Sequence, residues 1–195
     1  MSLVASDLAC ERNGRLVFSN LSFTVKAGEC AELRGLNGSG KSSLLRVLAG
    51  LVPLSSGHVT FNSSAEFKTA LHFIAHQDAI KNAMTVAENL QFWCDVLGGS
   101  SIAKALDAFR LDALRHETAQ LLSAGQRRRL SLSRLFLSPR PIWLLDEPMT
   151  ALDQATQTLL REHIWAHLKT NGIVIVATHG DLGFTPNRVI TLGDA

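Results

Sequence analysis

Charge is scarce in this sequence and neither sign prevails. Charged residues make up 18% of the 195 positions, and 19 basic side chains against 17 acidic ones leave a formal net charge of +2. That balance excludes a strongly basic nucleic-acid arm and an acidic tail. The three cysteines, Cys10, Cys30 and Cys94, are odd in number, scattered and free of any CxxC spacing. They exclude a disulfide framework and suit a reducing compartment. Apolar runs are short. The longest, Ile173 to Ala177, is strand-sized and far below the ~18–20 residues of a membrane span. The first residues carry no basic stretch followed by an apolar one, so no signal peptide is expected. The sequon-like triplets Asn20-Leu21-Ser22 and Asn62-Ser63-Ser64 therefore carry no weight. Tyrosine is absent altogether. Hydrophobic residues, in contrast, reach 46%, which excludes disorder and predicts a sizeable core with surface left over for a partner.

The pattern along the chain alternates between two periods. Leu21, Phe23 and Val25 alternate with polar neighbours and predict a half-buried strand ending at Ala27-Gly28. Further strands are expected at Glu29–Arg34, His58–Phe61, Leu71–Ala75, Ile142–Leu145, Ile173–Ala177 and Val189–Leu192. Helices are expected from Lys41 to near Gly50, after the Thr85/Glu88 capping box as far as Gly98-Gly99, around Ile102, Leu106 and Phe109, from Ser123 with Gln126 as a second capping box, and from Asp153 to Lys169. Strands alternating with helices predict an α/β fold with a mostly parallel sheet. The division expected is a single domain over 1–195, with a core lobe of 1–77 and 140–195 and an inserted helical subdomain at 78–139.

Between the second of these strands and the first helix lies Gly35-Leu36-Asn37-Gly38-Ser39-Gly40-Lys41-Ser42, followed by Ser43. This fits G-x-x-x-x-G-K-[ST] in its proper strand–turn–helix context, a chance event of about one in a hundred at average residue usage. Glycines let the backbone turn its N–H groups inward as an anion nest, and the helix N-terminus adds partial positive charge. Lys41 reaches β and γ phosphates, and the Ser42 hydroxyl offers one ligand to Mg²⁺. A bare connecting turn would need neither the lysine nor the serine.

A second constellation lies downstream. The run Leu144-Leu145 ends in Asp146-Glu147, at the strand end where sheets of this class hold ligands. Asp146 is placed to hold Mg²⁺, directly or through water, and Glu147 to polarise an attacking water. His179 follows the run Ile173–Ala177 and can donate a hydrogen bond to a γ-phosphate. Three other features read as structural. Arg127 to Arg129 are expected on a solvated helix face, His163 and His167 as polar residues on an exposed face with no third metal ligand, and Trp93, Trp143 and Trp165 as packing residues.

Leu122-Ser123-Ala124-Gly125-Gln126 resembles the LSGGQ signature of ABC-transporter ATPases. Gln77 resembles the family's Q-loop glutamine, Ala151-Leu152-Asp153 its D-loop, and His179 its switch histidine. Five motifs in the family's order cover essentially the whole chain. The resemblance implies a phosphate-loop ATPase core with a small antiparallel β portion and an inserted helical subdomain. It implies ATP and Mg²⁺ as ligands, with Gly35 to Ser43, Gln77, Ser123 to Gln126 and Asp153 around the nucleotide, Ser42, Asp146 and Gln77 at the cation, and Lys41, Glu147 and His179 in catalysis. It also implies a head-to-tail pair of copies, each closing its signature segment over the other's γ-phosphate.

The sequence departs from the family at three points. Ala124 replaces the first signature glycine and stiffens the helix start. Cys10-Glu11-Arg12-Asn13-Gly14-Arg15 lacks the aromatic that the family stacks on adenine, a role a planar arginine such as Arg12 can take. Glu32 and Arg34 interrupt an expected apolar strand. Within the family the chain is most similar to the small ATP-binding subunits of cytochrome c maturation (haem exporter) systems. The residues that carry this are Cys10-Glu11-Arg12, His76-Gln77 with Ile80-Lys81, Thr85 to Leu90, Leu122 to Gln126, and Trp143 to Pro148. That likeness implies a homodimer on the cytoplasmic face of a bacterial inner membrane. It implies integral membrane subunits as partners, turnover coupled to release of a haem-loaded chaperone, and no nucleic acid. The alternatives are the ATPase subunit of another small ABC transporter, or a non-transport ABC ATPase.

Overall fold

Two long strands open the chain, of which alternation reveals only the second half of the second, Leu21 to Val25. In the computed structural model, which describes residues 1–62 and 69–193, β1 (Ser2–Arg12) and β2 (Arg15–Lys26) form an antiparallel hairpin. Leu3, Ala5, Leu8 and Cys10 of β1 are buried, so the inward spacing is two, then three, then two. The extra residue is a bulge. The register shifts between Ala5 and Leu8, and Asp7 sits at φ 49°. Ser22 ties the bulge to β2, its hydroxyl donating to Asp7 Oδ1 at 2.9 Å and accepting from Asp7 N–H at 2.8 Å. The hairpin closes through Asn13 and Gly14, at φ 51° and 73°, the two positive angles of a type I′ turn.

The rest of the chain runs β3 (Cys30–Arg34), α1 (Lys41–Leu48), β4 (Ser56–Phe61), β5 (Leu71–Ile74), α2 (Val86–Leu97), α3 (Ala103–Ala108), α4 (Ala124–Ser133), β6 (Ile142–Asp146), α5 (Gln154–Lys169), β7 (Ile173–Ala177) and β8 (Arg188–Thr191). β4 adds to the hairpin in the antiparallel order β2-β1-β4. The other five strands form a parallel sheet, β5-β6-β7-β3-β8. Part of the Asn62-Ser63-Ser64 triplet lies outside the described residues.

β6 and β7 are buried along their whole length, which is why both read as continuous apolar runs. The parallel sheet has a core on each face. On one, Leu33, Leu144 and Ile175 meet Leu44, Leu45 and Leu48 of α1 and the inner residues Leu3, Leu8 and Phe18 of the antiparallel sheet. On the other, Ile74, Leu145 and Val176 meet Leu160 and Ile164 of α5 together with Leu90, Leu106, Phe109 and Leu130 from the helices between β5 and β6. Layering of this kind leaves the C-terminal ends of the parallel strands as a shared edge, where ligands bind.

Local chemistry sets the helix ends. Thr85 and Glu88 form the capping box of α2, and Gly98 ends it at φ 72°. Ser123 and Gln126 form the capping box of α4. Asp153 caps α5 by accepting from Thr156 N–H at 2.8 Å.

Several side chains lie where periodicity did not put them. Arg128 on α4 is buried, so the three arginines do not share a solvated face. His163 and His167 on α5 are packed as well. The His163 ring lies edge-on to Phe109 and Phe136, and His167 stacks on Trp143 at 3.9 Å with 8° between the planes. Trp165 is half exposed, tilted against Phe184. Among the described residues no group of three His, Cys, Asp or Glu converges to hold a metal on its own.

Candidate functional site

The turn between β3 and α1 is built for an anion. Gly35, Gly38 and Gly40 sit at φ 147°, 83° and 100°, angles that L side chains rarely adopt. A Cβ on Gly40 would also stand 2.7 Å from Val17 Cγ1, so the hairpin presses directly on the loop. Gly40 brings no side-chain cap to α1, which leaves first-turn N–H groups for a ligand. Ser39 Oγ is buried without a hydrogen-bond partner among the described residues. Lys41 is 93% buried, and its ammonium donates to the carbonyls of Gly35 at 2.8 Å and Leu36 at 3.0 Å. A buried cation held only by two carbonyls, beside an orphaned hydroxyl and free amides, fits an incoming polyphosphate.

The oxygen ligands for a divalent cation meet at the same edge. Ser42 Oγ donates to Asp146 Oδ1 at 3.0 Å, and Asp146 is almost wholly buried. Both are hard oxygen donors of the kind Mg²⁺ takes alongside phosphates. One residue further on, Glu147 turns away at φ 48°, a costly angle for a non-glycine residue and one that clusters at working sites. Its N–H donates to Ala177 O at 2.8 Å, and its carboxylate accepts from the His179 N–H at 3.3 Å. The His179 imidazole Nε2 lies 3.6 Å from Glu147 Oε1. These groups share one cleft of about 690 Å³ with the loop and with Arg12, Arg15 and Val17 of the hairpin. Gln77 is exposed and does not line that cleft; its neighbour His76 does. No periodicity distinguishes the two, because both lie in the bend after β5.

Arg128 is the residue that sequence reasoning missed. Its guanidinium donates to the carbonyls of Asp146 at 2.9 Å, Glu147 at 2.8 Å and Ala75 at 2.9 Å, and to Asp78 Oδ1 at 2.9 Å. One planar fork thus ties α4, which Ser123 caps, to the acidic strand end and to the segment after β5. Glu32 and Arg34 are also accounted for. They sit on one face of β3, where Arg34 Nη2 lies 2.8 Å from the buried Glu32 carboxylate, and both line a cleft of about 470 Å³ that adjoins His179.

Ser123, Gly125 and Gln126 lie elsewhere. They line a separate small cleft with Ala151 and Asp153, and none of them borders the phosphate-loop cleft. Ser123 Oγ accepts from Gln126 N–H at 3.2 Å, while Gln126 Oε1 accepts from Ser123 N–H at 2.8 Å. Gly125 packs so closely that a Cβ would stand 2.9 Å from Ala151 O.

A parallel sheet with a phosphate loop after one strand and an Asp-Glu pair after another defines a nucleotide-hydrolysing ATPase core. The family model of the ABC transporter matches residues 18–150, more than half of the chain, and the chain belongs to the ABC transporter family as an ATP-binding subunit. Its full-length relatives are narrower in type. The cytochrome c biogenesis ATP-binding export protein CcmA of Nitrobacter winogradskyi is 44% identical, with all of both chains covered. The protein of the same name from Bradyrhizobium diazoefficiens is 46% identical over 99% of this chain and 98% of its own. Among solved structures, a putative ABC transporter ATP-binding protein from Pyrococcus furiosus superposes with a TM-score of 0.84 over 98% of each chain, at 23% identity. That last likeness is one of fold. No described helix is long and apolar enough to cross a membrane.

Proposed function

We propose that this chain is the ATP-hydrolysing subunit of an export complex in cytochrome c biogenesis, and that it works as a head-to-tail pair of copies. The full-length relatives, all named for that process, support the biological setting. One observation carries the pairing: the phosphate loop and the Ser123–Gln126 segment line different clefts of the same chain. A second copy is what brings a signature segment to each loop.

In this mechanism the loop amides and Lys41 hold the ATP phosphates, with Ser39 and Ser43 beside them. Ser42 and Asp146 would hold the cation, with Gln77 as a further oxygen ligand. Mg²⁺ there would spread the charge of the β and γ phosphates. Glu147 orients a water in line with the γ-phosphorus, whose bond to the bridging oxygen breaks as the new P–O bond forms, giving ADP and phosphate. His179 donates to the charge that develops on the γ-phosphoryl oxygens. The partner copy's Ser123, Gly125 and Gln126 close the seam, with Asp153 at its margin. Residues 78–139 act as a helical subdomain that Gln77 and Arg128 link to the site and that docks on integral membrane subunits at the cytoplasmic face of an inner membrane. Turnover then drives release of a haem-loaded chaperone on the far side. Extracting the chain from membranes in mild detergent tests this setting. Integral subunits and a haem protein should accompany it; recovery of the chain without them, or with nucleic acid instead, contradicts it.

A further inference from the structure

The parallel strands begin at the edge opposite the phosphate loop, and a second cleft opens there. Ala27 lies three residues before β3, and Pro141 and Gly172 immediately precede β6 and β7. With Leu135, Pro139 and Arg140 they line a cleft of about 700 Å³, within the size range of small-molecule sites. Leu135 and Pro139 also line an adjoining cleft of about 470 Å³ beside Phe136 and Leu137, so an apolar strip joins the two.

Trp143 forms part of the wall of the larger cleft and is only 5% exposed. His167 stacks on its ring at 3.9 Å, and Phe136 meets it edge-on at 5.9 Å. The His167 ring is itself fixed. Its Nε2 lies 3.2 Å from Pro141 O, and a Cβ on Gly172 would stand 2.3 Å from that nitrogen. Among the described residues the Trp143 indole N–H has no acceptor, yet it is not sealed inside the core. A buried indole N–H ordinarily finds a partner, and leaving it unpaired costs free energy. Arg140 lines the same cleft. Three of its five N–H groups go to neutral acceptors, Leu71 O at 2.8 Å, Leu97 O at 3.3 Å and Ser138 Oγ at 3.3 Å. Among the described residues no carboxylate pairs with it. Partial burial holds its pKa below the ordinary guanidinium value, as for a charge short of both water and a counter-ion. Arg140 and Lys104 are the charged side chains described on the two clefts, and neither cleft is lined by Asp or Glu.

We propose that this cleft is a binding site for an acyl carboxylate of the fatty-acid class, separate from the nucleotide cleft. Its carboxylate accepts from the Trp143 indole N–H and from the remaining N–H groups of Arg140, bonds that charge strengthens. Its chain lies along Leu135 and Pro139 toward Phe136, where each methylene taken out of water tightens binding. A cationic head would meet donors and like charge. A short carboxylate would leave the apolar strip unfilled.

Titration calorimetry and nitrogen-edited NMR on the purified full-length chain, with decanoate, decyltrimethylammonium and acetate as probes, test the site. Decanoate should bind about a hundredfold more tightly than acetate and about tenfold more tightly than decyltrimethylammonium. Of the indole N–H signals of the three tryptophans, the one missing from Trp143→Phe should move on adding decanoate and stay still with acetate. Trp143→Phe keeps a ring on His167 and should weaken decanoate about tenfold. Ala27→Leu fills the cleft without touching either donor and should abolish binding. Arg140→Met should also weaken it about tenfold; because that side chain bridges two carbonyls, the other two variants carry the test if it fails to fold. Saturating ATP should leave decanoate bound. Circular dichroism checks that the variants fold. No decanoate binding up to about millimolar concentration overturns the proposal. So does equal affinity for decyltrimethylammonium, displacement of decanoate by ATP, or a folded Trp143→Phe or Ala27→Leu variant that binds decanoate at full strength.

Discussion

Glu147 combines a positive φ, an N–H donated to Ala177 and a carboxylate close to His179. The backbone strain turns its side chain out of line with Asp146, so the two carboxylates face different groups, Asp146 toward Ser42 and Glu147 toward His179. Glu147→Gln should keep nucleotide binding and lower kcat by about a hundredfold or more, the scale on which a general base acts. A phosphate-release assay reads this, and a wild-type rate in the variant contradicts the assignment. Titration at His72 and His167 gives a second expectation. Burial pushes both imidazoles down to about 4, against the hydrogen bonds to Ser138 O and Pro141 O that work in the opposite direction. Each carbonyl can only accept, so each Nε2 carries the proton of a neutral ring. The unfolded chain then binds protons that the folded chain does not, between about pH 6.5 and about 4. The stability these neutral rings contribute is whole above pH 6.5 and is lost as the pH falls through that window. The melting temperature should therefore drop between pH 7 and pH 5, and His167→Phe, which keeps a ring on Trp143, should flatten the drop. An equally steep fall in that variant contradicts the account.

Helix α4 carries the signature segment at its start, and Arg128 one turn later locks it to β6. The lock is buried and made of several carbonyls and one carboxylate. Removing it leaves acceptors unsatisfied and Asp78 without its ion-pair partner. Arg128→Met should lower the unfolding free energy by about 3 kcal/mol, the low end for breaking a buried pair. Arg128→Lys, which keeps the charge but not the fork, should recover less than half of it. Urea unfolding of the two variants checks this, and a change within about 0.5 kcal/mol for Arg128→Met would return the residue to the solvent face. Elements differ in how far they can be read from residues. The phosphate loop, the Asp146-Glu147 strand end, both capping boxes and the buried runs of β6 and β7 are written in local chemistry or in unbroken apolar sequence. Strand β1 is not, because the Asp7 bulge shifts its alternation by one residue. The I′ turn at Asn13-Gly14 is nonetheless a local signal that marks the hairpin. Arg128 was illegible because what buries it comes from β6 and from the segment after β5, both distant in sequence. His76 and Gln77 could not be told apart because a bend, not a period, decides which of them faces the cleft.

At the scale of the whole molecule, the layers put every strand-end group on one edge, where the cleft holding Lys41, Ser42, Asp146, Glu147 and His179 lies. The signature segment lines a cleft of its own, so in the proposed pairing each chain holds one half of two sites. The most direct test mixes a Lys41→Ala chain with a chain carrying Ser123→Arg, and measures phosphate release. Each variant alone should be inactive. The mixture should regain turnover in the fraction of pairs that bring an intact loop against an intact signature segment. No recovery on mixing, together with a wild-type chain that hydrolyses ATP at full rate while sedimenting as a monomer, would contradict the account.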